Sequence, residues 1–263
     1  MSLLAVRELA KAFGGIQAVR GVSFDVGAGE IVALIGPNGA GKSTCFNMLN
    51  GQLRPDRGTI RLAARGGADV LGGRELAGMR PRDIWRLGVG RTFQIAATFA
   101  SMTVAENVQM ALLSREGRLR GVWRPAHGQC RAEALELLRS VGLDGEQDRP
   151  VSALAYGQVK SVELAIALAN RPSLLLMDEP TAGMAPEERQ ALMALTRRIV
   201  VERGTAVLFT EHSMDVVFAN ADRVLVLARG ELIAHGGVQE VRADPRVQQA
   251  YFGTGRTVPS GVL

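Results

Sequence analysis

A nine-residue stretch near the N-terminus constrains the fold of this chain more than any other feature. Residues 36–44 read GPNGAGKST and match the pattern G-x-x-x-x-G-K-[ST]. The preceding run, EIVALIG at 30–36, is continuously apolar, which is typical of a strand buried on both faces. Residues 42–50 then read as a helix that stops at Gly51. A buried strand, a glycine-rich loop and a helix in this order indicate an α/β fold with a parallel sheet.

The glycine-rich stretch also has the composition of a phosphate-binding loop. Its glycines let backbone N–H groups curl around phosphate oxygens, and the N-terminus of the helix adds positive potential there. Lys42 would place a charge on the β- and γ-phosphates, and Ser43 would offer a hydroxyl to Mg²⁺. The residues predicted to bind the nucleotide are Gly36, Pro37, Asn38, Gly39, Ala40, Gly41, Lys42, Ser43 and Thr44.

A second motif, LLLMDEP at 174–180, places an acidic pair at the end of another apolar strand. Asp178 is predicted to hold magnesium, directly or through water. Glu179 is predicted to polarise the attacking water as a general base. A strand that ends in Asp-Glu is weak evidence alone, but together with the phosphate loop it predicts a nucleoside triphosphatase.

The order of the remaining elements extends this interpretation. Apolar segments at 3–9 and 22–26 predict strands, and the middle of the chain reads as helices, one of which opens on a capping box of Thr103 and Glu106. The last third alternates between strands and helices, which predicts βαβ units. Its predicted elements are strands at 173–178, 205–210, 223–228 and 231–236 and a helix at 186–203.

Composition excludes several classes of protein. The 263 residues carry 31 basic and 26 acidic side chains, a net charge of +5, and two cysteines without metal-ligand spacing. No zinc finger, helix-turn-helix or aromatic-interleaved basic patch is present, so we expect no nucleic-acid partner. No apolar run approaches the roughly 20 residues of a membrane span, and no secretory signal is evident. We expect the protein to stay on the cytoplasmic side of its membrane.

A third motif identifies the kind of nucleotidase that the chain resembles. Leu154-Ala155-Tyr156-Gly157-Gln158 lies 20 residues before Asp178 and starts a helix. It resembles the signature motif of ATP-binding cassette (ABC) ATPases, usually Leu-Ser-Gly-Gly-Gln. The resemblance covers about residues 3–253. It implies that Ala155, Tyr156, Gly157 and Gln158 also contact the nucleotide.

The same resemblance assigns roles to three isolated residues. Phe13 matches the aromatic side chain that stacks on adenine, although an isolated phenylalanine is more often part of a core. Gln94, in RTFQ, matches the glutamine that links the nucleotide site and its magnesium to the helical subdomain. His212 follows strand 205–210 and matches the switch histidine, which hydrogen-bonds the γ-phosphate.

The resemblance implies a particular architecture. We expect a single ABC ATPase domain, with a P-loop NTPase (RecA-like) core and an N-terminal antiparallel β subdomain in 1–94 and 171–253. A helical subdomain that carries the signature motif occupies 95–170, and 254–263 is a flexible tail. Two such domains pair head-to-tail, because one chain's signature motif cannot reach its own nucleotide.

Two departures from the usual ABC pattern narrow the subgroup. Ala155 replaces the signature serine, and 182–185 read Ala-Gly-Met-Ala where Ser-Ala-Leu-Asp is common. These features resemble the ATPase subunits of branched-chain amino-acid importers, in particular the larger of the two ATPase subunits that such importers usually carry. The resemblance includes both departures, the opening Phe-Gly-Gly at 13–15 and the closing Ala-Tyr-Phe-Gly at 250–253. The subgroup implies a separate permease, a second ATPase subunit or a second copy, and indirectly a solute-binding protein.

Alternatives remain at this point. The chain could serve another ABC membrane machine, such as a lipid or lipopolysaccharide exporter, or be a soluble ABC protein of repair or translation. The stretch 115–131 holds five arginines and Trp123. It is interpreted as a solvated loop of the helical subdomain, with contact to the permease or to anionic headgroups as the alternative.

Overall fold

A computed structural model describes residues 2–64, 70, 72–92, 98–117 and 130–252. Its strands are β1 (Ser2–Phe13), β2 (Ile16–Gly27), β3 (Ile31–Ile35), β4 (Arg57–Leu62), β5 (Arg74–Glu75), β6 (Val89–Thr92), β7 (Leu174–Asp178), β8 (Ala206–Thr210), β9 (Arg223–Ala228) and β10 (Glu231–Gly236). Its α-helices are α1 (Lys42–Leu49), α2 (Pro81–Arg86), α3 (Val104–Arg115), α4 (Arg131–Ser140), α5 (Tyr156–Leu168), α6 (Pro186–Arg203), α7 (Met214–Asn220), α8 (Val238–Ala243) and α9 (Pro245–Phe252).

A six-stranded sheet forms the centre of the molecule, in the order β10-β9-β3-β8-β7-β6. Its strands β9, β3, β8, β7 and β6 run parallel, and β10 pairs antiparallel with β9 at one edge. The carboxyl ends of β3, β7 and β8 therefore meet at one edge of the sheet. The loops that follow these three strands carry the predicted phosphate loop, acidic pair and histidine, which explains how distant motifs converge.

Both faces of the central sheet are covered, which explains the uninterrupted apolar run in β3. Ile31, Ala33 and Ile35 belong to a core shared with α3, α5 and α6. Val32 and Leu34 face a second core, shared with α1 and the antiparallel strands. Successive side chains of a strand point to opposite faces, so a strand between two cores has no polar side.

The second sheet is antiparallel, in the order β2-β1-β4-β5, and packs with α1 over one face of the central sheet. The parallel core and the antiparallel N-terminal sheet confirm the predicted α/β fold class. The sequence analysis did not predict β4–β6, α2 or α7–α9. Among these, β4, β5, β6, α2 and α8 have at most six residues, which is too short to show a clear periodicity.

The helices between β6 and β7 begin and end where local signals predict. Thr103 caps α3 as expected: its hydroxyl accepts from the Glu106 N–H at 3.2 Å, and Glu106 accepts from the Thr103 N–H at 2.8 Å. Arg115 at the end of α3 holds Glu133 of α4 through two hydrogen bonds of 2.8 and 2.7 Å. Within the described ranges, no helix is long and apolar enough to cross a membrane.

Two carboxylates fix the amino end of the central sheet. The Glu30 side chain accepts from Arg223 at 2.7 Å, and the Asp222 carboxylate accepts from the Ile31 N–H at 2.8 Å. Burial alone would raise both pKa values. Hydrogen bonds from Arg223 and the Gly27 N–H to Glu30, and from Arg197 and the Ile31 N–H to Asp222, together with the arginine charges, outweigh burial, so both pKa values lie below their ordinary values. The charged forms thus stabilise the fold.

Candidate functional site

The phosphate loop lies between β3 and α1 and depends on close approaches that exclude side chains. Gly41 has φ 103°, and a Cβ there would lie 2.4 Å from the Ala18 carbonyl oxygen. At Gly36 a Cβ would lie 2.1 Å from the Leu227 carbonyl oxygen. The loop is therefore clamped between the backbones of β2 and β9, and only glycine fits at either end.

Lys42, the first residue of α1, turns its side chain back into the loop. Its Nζ donates to the carbonyl oxygens of Gly36 at 2.6 Å and Pro37 at 3.2 Å. Burial lowers the pKa of Lys42, while the carboxylates of Glu179 and Asp178 favour its charged form. The ammonium is thus held at the loop and electrostatically linked to the acidic pair. Next to it, Ser43 is exposed at the start of α1.

The acidic pair lies at the carboxyl end of β7, opposite the end of β8. Asp178 Oδ1 accepts from the Thr210 hydroxyl at 2.7 Å. Glu179 has a left-handed backbone with φ 48°, which costs a non-glycine residue on the order of 1–3 kcal/mol. Its N–H donates to the Thr210 carbonyl oxygen at 3.1 Å. Pairing with β8 thus holds the strained turn that follows Asp178.

His212 reaches the predicted base directly. Its Nε2 lies 2.8 Å from Glu179 Oε1, and about half of the imidazole side chain is exposed. The adjacent residue, Glu211, is buried and accepts from the Thr181 N–H at 2.8 Å, from the Thr181 hydroxyl at 2.7 Å and from the His212 N–H at 3.2 Å. Glu211 thereby ties the loop after the base to the histidine. The sequence analysis did not predict this role of Glu211. Its signal in the sequence is an acidic residue directly before His212.

Arg91 of β6 is a second residue that sequence reasoning missed. Its Nη2 lies 3.5 Å from Asp178 Oδ2, and its Nη1 donates to Gln52 Oε1 at 2.7 Å. Desolvation lowers the pKa of Arg91, and Asp178 partly compensates. The sequence signal for Arg91 was its charge, at the first position of the RTFQ segment.

Phe13 is exposed at the end of β1, at 47%, so it is not a core residue. The Lys11 ammonium lies 5.6 Å from the centre of its ring. An exposed aromatic ring beside a cation fits the predicted stacking platform better than the core alternative.

The signature motif forms the N-terminus of α5, as predicted. Gln158 caps it, because its side chain accepts from the Ala155 N–H at 3.1 Å. Tyr156 is exposed at 46%, and its ring lies beside Gly183 of the loop after the base. A Cβ at Gly157 would lie 2.8 Å from Glu188 Oε1 of α6. The signature motif thus packs on its own chain's post-base loop and α6.

Some predicted features lie outside the described residues. Gln94 is one, as are Arg118, Arg120, Trp123 and Arg124 of the basic stretch and the tail 254–263. The described ends of that stretch make ion pairs: Arg115 with Glu133 and Arg131 with Asp148, each at 2.7 Å.

The loop, acidic pair and signature helix, arranged on this fold, define the class of protein: a P-loop ATPase built as an ATP-binding cassette. Comparison with known proteins gives the same class. A family model described as ABC transporter matches residues 19–182, and one described as branched-chain amino acid ATP-binding cassette transporter matches residues 231–257.

Full-length relatives narrow the class. The chain is 39% identical over 258 residues to the high-affinity branched-chain amino acid transport ATP-binding protein LivG of Salmonella typhimurium, and 37% identical over 258 residues to BraF of Pseudomonas aeruginosa. Each match covers 95% of this chain and 98% of the relative. The ADP conformation of an ATP-binding cassette of an ABC transporter has a TM-score of 0.84 at 30% identity, covering 96% of this chain and 99% of that one.

The chain therefore belongs to the ABC transporter ATPases, in the group of the branched-chain amino-acid transport ATP-binding proteins. It is an ATP-binding cassette that hydrolyses ATP.

Proposed function

We propose that this chain is the ATPase subunit of an ABC importer that takes up branched-chain amino acids or a similar small solute through a separate permease. The observation that carries the proposal is the Glu179–His212 pair, at 2.8 Å, at the same sheet edge as Lys42. The importer type is supported by LivG and BraF and by the family match at 231–257.

The residues at the sheet edge fit a nucleotide with Mg²⁺. The phosphate loop offers backbone N–H groups and the Lys42 ammonium, and Phe13 would stack on adenine. Exposed Ser43 would share the metal with Asp178 and Gln94, oxygen donors of the kind that Mg²⁺ prefers. When bound, Mg²⁺ would neutralise charge on the β- and γ-phosphates.

Glu179 would act on the attacking water. Its carboxylate orients the water and accepts its proton, and the strained turn keeps the side chain at the sheet edge. His212 would hold Glu179 through Nε2 and contact the γ-phosphate as the site fills. Lys42 would stabilise the negative charge on the phosphates.

The arrangement favours a head-to-tail dimer. Three strand spacings, about 14 Å, separate β3 from β6, and α5 packs against β6, where the Ala167 carbonyl oxygen lies close to Gly90. The signature residues Ala155, Tyr156, Gly157 and Gln158 would therefore contact ATP bound to a partner. Gly157 retains its N–H and the helix N-terminus for that contact, although Ala155 supplies no hydroxyl.

The partners and location follow from this role. The partner ATPase is a related subunit or a second copy. The permease is a separate membrane protein that receives the dimer's movement through the helical subdomain, 95–170, and Gln94. A solute-binding protein acts indirectly, and the chain lies at the cytoplasmic face of the inner membrane.

Reconstituted transport tests the proposal. The chain is assembled with its permease and partner ATPase in proteoliposomes, with the binding protein and ATP, and uptake of labelled leucine is measured. We expect ATP-dependent leucine uptake that competes with isoleucine and valine but not with lysine, and no uptake with Lys42→Ala. Leucine uptake by the Lys42→Ala assembly would overturn the role of this chain in energising transport. A wild-type assembly that hydrolyses ATP without transporting any of the three would overturn the assignment to branched-chain amino acids.

A further inference from the structure

Arg91 is a partly buried cation that the ATPase mechanism described above does not use. It lies on β6, and only 14% of its side chain is exposed. The parallel register pairs Arg91 with Leu176 of β7, so Asp178 lies two residues further towards the carboxyl end of that strand. The guanidinium therefore extends along the sheet towards the acidic pair.

Among the described residues, Gln52 and Asp178 contact the guanidinium, and they do so unequally. Nη1 donates to Gln52 Oε1 at 2.7 Å, a short hydrogen bond, whereas Nη2 lies 3.5 Å from Asp178 Oδ2. Asp178 Oδ1 is used differently, because it accepts from the Thr210 hydroxyl at 2.7 Å. Both oxygens of the carboxylate are thus engaged by groups of this chain.

This arrangement conflicts with a second cation at the same carboxylate. A guanidinium and a divalent metal near one carboxylate repel each other, and the repulsion is strong where water is scarce. Because the bond to Gln52 is the shorter of the two, the guanidinium can release Asp178 and stay anchored. Gln52 thus provides the position to which Arg91 withdraws.

We propose that Arg91 is a positioning residue that neutralises Asp178 in the metal-free state and lowers the affinity of the nucleotide site for its divalent cation. The inference rests on the proposed role of Asp178 in holding Mg²⁺. A purely structural role, in which Arg91 pins Asp178 in the geometry that the metal needs, predicts the opposite effect on metal affinity.

Mn²⁺ binding distinguishes the two roles without relying on turnover. Free Mn²⁺ is measured by electron paramagnetic resonance in the presence of a saturating non-hydrolysable ATP analogue, with analogue binding measured separately. Arg91→Gln removes the charge and keeps a hydrogen-bonding side chain, so we expect Mn²⁺ to bind on the order of tenfold more tightly. Arg91→Lys keeps the charge, and we expect it to stay within about twofold of wild type.

Two further variants complete the design. Arg61→Gln is the control: it removes an exposed charge on β4 that pairs with Glu75 of β5 at 3.8 Å. It should leave the Mn²⁺ affinity unchanged. Gln52→Leu removes the anchor from an exposed position, so the guanidinium should bind Asp178 more closely and weaken Mn²⁺ binding. Gln52→Leu is expected to change the Mn²⁺ affinity in the opposite direction to Arg91→Gln. It therefore tests the inference even if Arg91→Gln does not fold.

The outcomes separate the inference from the proposed function. Unchanged or weaker Mn²⁺ binding by Arg91→Gln, or unchanged binding by Gln52→Leu, overturns the role of Arg91 alone. Failure of the wild-type protein to bind the analogue or Mn²⁺ overturns the proposed nucleotide–metal site and this inference with it.

Discussion

Thr181→Val should destabilise the protein by breaking the buried link between the loop after the base and Glu211. Thr181 and Glu211 are 1% and 4% exposed. The Thr181 hydroxyl donates to the Glu211 carboxylate at 2.7 Å, and valine fills nearly the same space without a donor. A hydrogen bond to a charged group contributes about 1.5–3 kcal/mol. The Thr181 N–H bond, at 2.8 Å, survives the substitution. We therefore expect the free energy of unfolding to fall by about 2 kcal/mol.

Thr196→Val is the matched control. Thr196 is equally buried, at 1%, and its hydroxyl donates at 2.9 Å to a neutral acceptor, the Leu192 carbonyl oxygen. A neutral hydrogen bond contributes about 1 kcal/mol, so this change should cost roughly half as much. Urea unfolding followed by far-ultraviolet circular dichroism gives both values, provided that the dependence on urea is unchanged.

A double-mutant cycle with Glu211→Gln isolates the Thr181–Glu211 interaction. The two residues touch, so their effects should not add, and we expect a coupling energy of about 1 kcal/mol or more. A Thr181→Val cost no greater than that of Thr196→Val, or a coupling energy of zero, would show that Glu211 does not hold the loop as the geometry indicates.

Three shorter predictions concern the site and the sheet. Phe13→Ala should raise the KM for ATP and leave kcat nearly unchanged, because stacking acts on ground and transition states alike; a fall in kcat alone would refute the adenine platform. Lys42→Ala should abolish tight MgATP binding in calorimetry, since it removes the cation that the loop holds; equal affinity would refute this role. Because the pKa values of Glu30 and Asp222 are lowered in the folded protein, both carboxylates contribute to the free energy of unfolding. This contribution is complete at a pH above their ordinary pKa values of 4.5 and 3.8, and it is lost as the pH falls through the lower pKa values of the folded protein. Acid unfolding measures this, and Arg223→Gln should reduce the part of the loss that Glu30 contributes, because it removes the strongest cause that lowers the pKa of Glu30.

The parts of the site that form locally were predictable from the sequence. The phosphate loop requires glycines and a lysine within nine residues, between a strand and a helix. In the structure, the Lys42 ammonium donates to a carbonyl oxygen of this loop. The helix that begins at Pro186 and ends before Gly204 was likewise predicted, because proline, acidic residues and glycine mark its ends.

The contacts that depend on sheet register were not predictable. Arg91 and Asp178 are 87 positions apart and meet only because β6 pairs with β7 in one register. Thr181 and Glu211 meet for the same kind of reason, through the pairing of β7 with β8. A single sequence carries residue types but not strand order, so such pairs become visible only with the fold.

The most direct test of the ATPase mechanism is Glu179→Gln in complex with the co-expressed partner ATPase. The amide keeps the shape of the side chain but cannot accept the proton, so we expect ATP to bind and hydrolysis to stall. The closed dimer should then persist, and light scattering should show an assembly mass that rises with MgATP. Adding Gly157→Asp should weaken that assembly, because a carboxylate would face the γ-phosphate and would already crowd Glu188. An assembly mass independent of nucleotide, or undiminished hydrolysis by Glu179→Gln, would contradict the account. Both the role of Glu179 as general base and the sharing of ATP between two subunits would then be wrong.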